Sequence, residues 1–136
     1  MTVYVLDSSA VLRYIDNEAG SDRVQSVLTD GLYAKAGLSI SAVQWGEIAG
    51  KLFKRLGTGS RLEAMETLLL SGIVIIPADA ERSVSAARFK VDHGISYADA
   101  FALDLAMQSA EHVLVTADYG FKAVMDLARI EFLPSK

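Results

Sequence analysis

The sequence contains no cysteine, which excludes a disulfide framework, a cysteine-based zinc site and a thiol nucleophile. It has only two histidines, His93 and His112, which are too few for a histidine-rich metal site and a poor basis for a Ser-His-Asp triad. Any metal-binding chemistry in this chain must therefore rest on carboxylates.

Long apolar runs are also missing. The longest comprises residues 68–70 and 73–76, is interrupted by Ser71-Gly72, and is far shorter than the roughly 20 residues that span a bilayer. The first seven residues carry no basic segment and no small-residue cleavage site, so we expect no secretory signal and a cytoplasmic location. The net charge of −4 argues against strong nonspecific binding to nucleic acid but permits a local basic patch.

What the chain does have is the length and composition of one compact domain. It contains 136 residues, of which 51% are hydrophobic, and we expect a single domain over residues 1–136. A chain of this length buries roughly two-thirds of its unfolded surface, so it needs neither a disulfide nor a structural metal in order to fold.

Short apolar runs alternate with segments of helical periodicity along the chain. Strands are predicted at residues 3–6, 38–41, 73–76, 112–116 and 130–133, of which 73–76 is expected to be buried on both faces. Helices are predicted at residues 9–16, 21–28, 42–56, 61–70, 80–92, 97–109 and 121–127, with a break at Gly57-Thr58-Gly59. The alternation predicts an α/β fold, a three-layer α/β/α sandwich with a central, Rossmann-like parallel sheet.

Four acidic residues fall where predicted strands end or helices begin. Asp7 directly follows the first strand, and Asp118 follows the fourth strand after one residue. Glu47 lies in the second turn of the helix after the second strand, and Asp99 lies in the first turn of the helix that starts at Tyr97. Because the carboxyl ends of parallel strands open onto one crevice, the fold is expected to bring the four acids together.

Each acid, taken singly, also has an ordinary structural interpretation. Asp7 and Asp118 are suitable N-caps for the helices that follow them, and Asp99 completes a capping box that begins three residues earlier. Glu47 lies four residues before Lys51, the spacing of an exposed ion pair on a helix. The four positions together favour a metal site, because clustered carboxylates repel one another unless a cation neutralises them.

Carboxylate oxygens select hard cations, so the expected cofactor is Mg²⁺ or Mn²⁺, ions that bridge carboxylates to phosphate oxygens and suit phosphodiester hydrolysis. Four segments around the acids make the chain resemble the PIN domain family of metal-dependent ribonucleases, and its small size is similar to VapC-type toxins of toxin–antitoxin pairs. The resemblance extends from Val3 to about Leu133. It rests on Val5-Leu6-Asp7-Ser8-Ser9-Ala10, Trp45-Gly46-Glu47-Ile48-Ala49, Tyr97-Ala98-Asp99-Ala100 and Thr116-Ala117-Asp118-Tyr119-Gly120-Phe121.

The resemblance implies a PIN-like fold, hydrolysis of RNA by a metal-activated water, inhibition of translation, and an antitoxin protein as partner. It assigns the catalytic acids that hold the metal to Asp7, Glu47, Asp99 and Asp118. It also assigns two hydroxyls, those of Ser9 and Thr116, to orienting the first and last acids. The chain departs from the family at Gly46, where a polar residue, commonly Asn, often precedes the glutamate; this bears on a substrate contact and leaves the metal site unaffected.

Basic residues on two predicted helices are candidates to contact RNA phosphates, or else form ordinary solvated helix faces. These candidates are Lys51, Lys54, Arg55, Arg82, Arg88 and Lys90. Tyr97 and Tyr119 border the acids and are expected either to stack on a base or to lie at the edge of the core.

An apolar stripe on the third predicted helix suggests a surface for partners. It comprises Trp45, Ile48, Ala49, Leu52, Phe53 and Leu56. Together with the leucines of the next helix it is expected either to bind an antitoxin segment and a second copy in a homodimer, or to be ordinary core.

Three other functions are considered at the level of sequence. A metal-dependent phosphohydrolase of another class, forming an aspartyl-phosphate, would carry a second acid two residues after the first, where this chain has Ser9. A phosphate-accepting receiver domain would need a lysine after a late strand, which Thr116-Ala117-Asp118 does not supply. A non-catalytic PIN-fold binding or scaffold module is disfavoured by the intact acids, because a repulsive cluster has no structural benefit.

Overall fold

The computed structural model describes residues 1–136, except that the side chains of residues 56–58 are not described. Five parallel strands form one sheet in the order β3-β2-β1-β4-β5. In chain order the strands are β1 (Val3–Leu6), β2 (Gly37–Ser41), β3 (Val74–Ile76), β4 (His112–Thr116) and β5 (Arg129–Phe132). The helices are α1 (Ser8–Ile15), α2 (Ser21–Leu32), α3 (Ala42–Leu70), α4 (Ala80–His93) and α5 (Tyr97–Ala106), followed by a 3₁₀ helix (Tyr119–Val124).

Helices cover both faces of the sheet, because successive side chains of a strand point to opposite faces. In β1, Leu6 belongs to a core cluster with residues of α1, α2 and α3, whereas Val5 belongs to a second cluster with residues of α4 and α5. The same alternation recurs in β4, where Val115 belongs to the first cluster and Leu114 to the second. The predicted three-layer α/β/α sandwich is confirmed.

The third helix differs from the prediction. Two helices, 42–56 and 61–70, were expected, but α3 is a single helix from Ala42 to Leu70. Residues 57 and 58 of the break predicted at Gly57-Thr58-Gly59, and Leu56 of the predicted apolar stripe, lie outside the part of the chain whose side chains are described. A helical glycine costs only about 1 kcal/mol relative to alanine, so buried anchors such as Leu52 and Leu68 on either side outweigh the local preference.

Two further elements also differ from the predictions. The strand expected to be buried on both faces, β3, lies at the edge of the sheet, and its Val74 is 56% exposed. A β-branched run indicates a strand but does not fix its place in the sheet. The last helix, predicted at 121–127, is a 3₁₀ helix that starts earlier, because Asp118 Oδ1 accepts a hydrogen bond from the Gly120 N–H at 2.8 Å and caps it.

The order of the strands creates a crevice beside β1. The chain builds β1, β2 and β3 outward in one direction and then returns to place β4 and β5 on the other side of β1. Such a topological switch point is where open α/β sheets bind ligands, outside the carboxyl ends of the strands. Of the described residues, no helix has the length and apolar character needed to cross a membrane.

Candidate metal centre

Asp7 is the most enclosed of the four acids. It is 1% exposed at the end of β1 and caps α1 by accepting a hydrogen bond from the Ala10 backbone N–H at 2.9 Å. Two hydroxyls also donate to it, Ser9 Oγ to Oδ1 at 2.7 Å and Thr116 Oγ1 to Oδ2 at 2.6 Å. The capping role therefore coexists with a fixed orientation of both carboxylate oxygens toward the switch point.

The same two hydroxyls connect Asp7 to the end of the neighbouring strand β4. Ser9 Oγ accepts a hydrogen bond from the Ala117 N–H, and Thr116 Oγ1 accepts one from the Asp118 N–H, both at 2.9 Å. We call the side chains of Asp7, Ser9 and Thr116, with the backbone N–H groups of Ala117 and Asp118, the hydroxyl network. It holds the first and last acids in one hydrogen-bonded unit.

Burial and neighbouring negative charge disfavour the ionisation of the Asp7 carboxyl at the carboxyl end of β1. Burial raises the pKa of Asp7 from 3.8 to about 6, although the hydrogen bonds from Thr116, Ala10 and Ser9 oppose the increase. The charge of Asp118 adds a smaller increase. A cation would relieve this destabilisation of the charged carboxylate.

Asp99 is in the first turn of α5, and its backbone N–H donates to Ser96 Oγ at 3.1 Å, as a capping box predicts. Burial, followed by the charge of Asp118, raises the pKa of Asp99 to about 7, and Asp7 contributes a further increase. The carboxylates of Asp7, Asp99 and Asp118 are thus near enough to influence one another's ionisation. The sequence predicts that the fold unites all four acids, and the mutual effects on ionisation concern three of them.

Glu47 is the most exposed of the four acids. Its Oε1 accepts a hydrogen bond from Ser8 Oγ at 3.3 Å, which ties it to the residue that follows Asp7. Among the described residues it forms no ion pair with Lys51, the alternative that its helical spacing suggested.

Gln44 is a residue of this edge that the sequence analysis missed. Its side chain is buried, its Oε1 accepts from the Ser8 backbone N–H at 2.7 Å, and its Nε2 donates to the Ala98 carbonyl at 2.8 Å. A signal for it exists in the sequence, since a polar amide at position 44 precedes Ile48 and Leu52 at intervals of four residues, within the apolar stripe of the helix.

The donor set fits a hard divalent cation. Within the described part of the chain, no group of three or more His, Asp or Glu side chains is arranged to hold a metal ion. Mg²⁺ requires fewer protein ligands than that, because it commonly binds through one or two carboxylates and keeps several waters. The carboxylates of Asp7 and Asp99, with raised pKa values and only oxygen donors, therefore fit Mg²⁺ or Mn²⁺, whereas zinc prefers the nitrogen and sulfur ligands that are lacking here.

Comparison with known proteins identifies the family. The PIN domain model matches residues 4–127 of this chain. The chain belongs to the PIN domain family. PIN domains are in general nucleases and typically use divalent metals, in keeping with the oxygen donors at the switch point. A comparison with curated proteins gives no significant match.

Solved structures of toxin–antitoxin proteins have the same fold as this PIN domain. VapBC2 from Rickettsia felis, bound to a DNA fragment from its promoter, has a TM-score of 0.73 at 16% identity, covering 98% of this chain and 100% of that chain. VapBC-1 from nontypeable Haemophilus influenzae has a TM-score of 0.67 at 19% identity, covering 96% and 98%. VapC20 from Mycobacterium tuberculosis, a toxin that cleaves the sarcin–ricin loop, has a TM-score of 0.67 at 18% identity, covering 89% and 94%.

The basic residues of α3 lie close to the acids of this PIN domain. Lys51 and Arg55 line a groove of about 420 Å³ that also contains Ser9 and Asp118. Arg55 Nη1 forms an ion pair with Asp16 Oδ2, so part of its charge is already compensated. Lys54, on the same helix, is exposed but does not line the groove.

The basic residues of α4 are placed differently. Arg82 Nη1 pairs with Asp104 Oδ2 at 2.8 Å. Arg82 also lines a cavity with Val3 and His112, the first residues of β1 and β4. This cavity is at the amino ends of the strands, whereas the acids are at the carboxyl ends. Arg88 and Lys90 are exposed on the same helix, and Arg88 pairs with the residue four positions later. The structure therefore brings only Lys51 and Arg55, of the six candidates, to the groove beside the acids.

Tyr97 and Tyr119 both pack at the edge of the core, in agreement with one of their two predicted roles. The Tyr97 ring contacts Phe101 edge-on at 5.0 Å between centroids, and the Tyr119 ring contacts Phe132 edge-on at 5.7 Å. The Tyr119 hydroxyl also donates to the Leu133 carbonyl at 2.7 Å, which fixes the ring beside the groove.

The apolar stripe of α3 divides between core and surface. Ile48 and Leu52 are buried and Trp45 packs against the core, which agrees with the interpretation as ordinary core. Phe53 is 50% exposed, and the Arg61 guanidinium lies 4.2 Å from the centre of its ring. The exposed part of α3 therefore includes an aromatic side chain partly covered by a cation.

Proposed function

We propose that this PIN domain, a single domain over residues 1–136, is a metal-dependent endoribonuclease and the toxin of a VapBC-type pair. The observation that carries the proposal is the set of carboxylates at the topological switch point, where burial and mutual repulsion raise the pKa of Asp7 and of Asp99. A fold gains nothing in stability from such a cluster, whereas a divalent cation requires it. This argument favours catalysis over a scaffold role.

Asp7 and Asp99 are the principal metal ligands in this proposal, with Glu47 and Asp118 completing the site for Mg²⁺ or Mn²⁺. When bound, the ion supplies an activated water and offsets negative charge on the scissile phosphate in the transition state. Ser9 and Thr116 orient Asp7 through donated hydrogen bonds of 2.7 and 2.6 Å. No nucleophile from the chain is required, which agrees with the absence of cysteine from the sequence.

The RNA strand approaches along the groove lined by Lys51 and Arg55 in this proposal. Arg13, at the same groove, donates to the Ala19 and Pro134 carbonyls and so serves to hold the wall of the groove. Lys51 is then the cation available to an RNA phosphate beside Asp118, and Arg55 joins it if its pair with Asp16 opens.

An antitoxin protein and a second copy of the chain are the proposed partners, in the cytoplasm, where the RNA substrate would be met. The similar folds of VapBC2 and VapBC-1 support the antitoxin. This chain also presents an apolar groove of about 240 Å³ between α1, α2 and the end of α3, with Leu32 and Leu70 exposed along it. Light scattering at micromolar concentration tests the homodimer, and a monomer alone would contradict it.

Incubation of the purified protein with total cellular RNA tests the activity. Three parallel samples contain Mn²⁺, EDTA, and Mn²⁺ with the Asp7→Asn variant. We expect discrete fragments only in the first sample. Fragments in all three would assign the cleavage to a contaminant or another site, and intact RNA throughout, together with no Mn²⁺ binding, would favour the scaffold alternative.

A further inference from the structure

One buried amide connects three of the segments that carry the acids. Gln44 belongs to α3, one turn before Glu47, and is 1% exposed. Its Oε1 accepts from the backbone N–H of Ser8, the residue after Asp7, at 2.7 Å. Its Nε2 donates at 2.8 Å to the carbonyl of Ala98, the residue before Asp99.

The two backbone partners fix the orientation of this amide. The Ser8 N–H can only donate and the Ala98 carbonyl can only accept, so the oxygen and the nitrogen of Gln44 cannot be exchanged. Ser8 is the first residue of α1, and the first N–H groups of a helix have no partner within it. Gln44 therefore satisfies a backbone donor that would otherwise be unpaired at the edge of the site.

Among the other described hydrogen bonds, only the 3.3 Å contact of Ser8 Oγ with Glu47 Oε1 joins α3 to the residue after Asp7, and it does not reach α5. The hydroxyl network joins Asp7 to Asp118 across β1 and β4 but does not reach α3 or α5. Glu47 and Asp99 project from those two helices. The position of α5 relative to β1 depends on packing and on the Gln44 amide, and that of α3 depends in addition on the longer contact of Ser8 with Glu47. Apolar packing is non-directional, whereas two hydrogen bonds from one rigid amide specify distance and angle.

We propose that Gln44 is a positioning residue that sets the spacing of Asp7, Glu47 and Asp99 for binding one divalent cation. The inference rests on the metal centre of the proposed function. Gln44 itself is buried and contacts backbone on both sides, so it acts through the three acids and does not contact RNA. Outer residues that orient metal ligands typically change metal affinity by about 10- to 100-fold when they are replaced.

The test compares Gln44→Met with Gln108→Met. Methionine preserves the length and volume of glutamine but can replace neither hydrogen bond. Gln108 is the control because its Nε2 also donates to a backbone carbonyl, that of Asp104, at 3.1 Å. It lies just after the C-terminal end of α5, whereas Asp99 is in the first turn, and unlike Gln44 its side chain is exposed. The binding of Mn²⁺ to each protein is measured directly by electron paramagnetic resonance, with folding checked by far-ultraviolet circular dichroism.

We expect Gln44→Met to weaken Mn²⁺ binding at least 10-fold and Gln108→Met to leave it within twofold of the wild type. With RNA as substrate, kcat at a fixed low concentration of Mn²⁺ falls for Gln44→Met, saturating Mn²⁺ restores part of it, and KM for RNA is unchanged. A merely structural role would lower the thermal midpoint and leave the Mn²⁺ affinity of the folded protein unchanged.

If Gln44→Met does not fold, Gln44→Asn replaces it. Asparagine keeps the amide but is one methylene shorter, so it satisfies one backbone partner at a time, and the same loss of Mn²⁺ affinity is expected. A folded Gln44 variant that binds Mn²⁺ as tightly as the wild type overturns the positioning role and leaves the nuclease proposal intact. A wild-type protein that binds no Mn²⁺ overturns the metal centre itself, and the role of Gln44 with it.

Discussion

The four acids at the carboxyl ends of the strands form two pairs that are held by different means, and we call these pairs the sheet half and the helical half of the site. Asp7 and Asp118 follow adjacent strands, and the hydroxyl network joins them through four hydrogen bonds of 2.6 to 2.9 Å. Glu47 and Asp99 project from α3 and α5, and the hydrogen bonds that tie their segments to β1 are those of Gln44 and the longer contact of Ser8 with Glu47. One half is built into the sheet, and the other depends on how helices pack.

This difference indicates which interactions set the spacing of the acids in each half of the site. In the sheet half, backbone pairing of β1 with β4 sets the spacing, and the hydroxyls only aim the carboxylates. In the helical half, side chains set the spacing, so single substitutions there should alter geometry without disturbing the sheet. Four experiments test this contrast, beginning with the largest expected effect.

Removing the charge of one acid in each half should lower ribonuclease activity most. We expect Asp7→Asn to reduce kcat by about 10³-fold, since it removes a buried, doubly oriented ligand, and Glu47→Gln to reduce it by only about 10-fold. Initial rates on one RNA at saturating Mn²⁺ provide the comparison. Asp92→Asn, an exposed acid paired with Arg88, is the control and should retain wild-type activity. Equal losses in the two halves would remove the distinction between them.

Breaking the hydroxyl network should weaken metal binding next. Thr116→Val removes the donor to Asp7 and the acceptor for the Asp118 N–H at nearly constant volume. We expect a 10- to 100-fold loss of Mn²⁺ affinity and a loss of about 1–3 kcal/mol of stability, because the partly buried Asp118 N–H and the buried Asp7 carboxylate each lose a partner.

Two further variants separate the causes. Thr116→Ser keeps the hydroxyl and should restore Mn²⁺ affinity. The double variant Thr116→Val with Gln44→Met tests independence, and the free energies of Mn²⁺ binding should add if the two halves are held separately. A coupling well above about 0.5 kcal/mol would mean that the halves form one network.

The metal-free protein should be more stable in mild acid than in mild base. The pKa of Asp7 is 3.8 in the unfolded state and about 6 in the folded state, where burial raises it, and the pKa of Asp99 is raised to about 7. Between about pH 4 and 7, Asp7 and Asp99 hold protons in the folded state that they release in the unfolded state. The free energy of unfolding therefore falls as pH rises through this range. For Asp7 alone the loss is about 3 kcal/mol.

Urea unfolding in EDTA at pH 5 and pH 8 measures this effect. The Asp7→Asn variant should lose much of the difference between the two pH values, and Mg²⁺ at pH 8 should restore stability to the wild type. Unfolding that is equally difficult at both pH values in EDTA would indicate that the acids are not destabilised by burial.

The smallest expected effect concerns the groove beside the acids. Lys51→Ala should weaken RNA binding by about threefold at low salt and reduce the salt dependence by roughly one phosphate contact. Arg88→Ala, on the exposed face of α4, is the matched control and should leave binding unchanged. Affinity is measured by fluorescence anisotropy in Ca²⁺ with the inactive Asp7→Asn background, and equal effects of the two variants would contradict the assignment of the groove.

Much of the sheet half could be predicted from the sequence. All five strands were predicted to within two residues of their observed ends, because short apolar runs before acidic or capping residues are local signals. Asp7, Ser9 and Asp118 follow those strands within three residues and Thr116 ends β4, so strand prediction places all four directly. The resemblance to PIN domains then named the same residues.

The helical half was harder to predict. Three features depend on tertiary packing: the position of β3 as an edge strand, the continuity of α3, and the placement of Arg82 at the amino ends of the strands, away from the acids. Glycine propensity and helical charge patterns are weak signals, worth about 1 kcal/mol or less, and burial elsewhere in the molecule outweighs them.

The sequence by itself determined the α/β/α class and predicted the four acids as a site, because strand ends and helix starts lie a few residues from each acid. The two hydroxyls were assigned by the resemblance to PIN domains. Only the tertiary structure decided which polar groups meet, as Gln44 illustrates. Its partners lie 36 and 54 residues away, and nothing local distinguishes an amide that connects two backbones from one that faces solvent. Long-range hydrogen bonds arise when the core brings segments together, because packing fixes the distances at which their directional geometry can be satisfied.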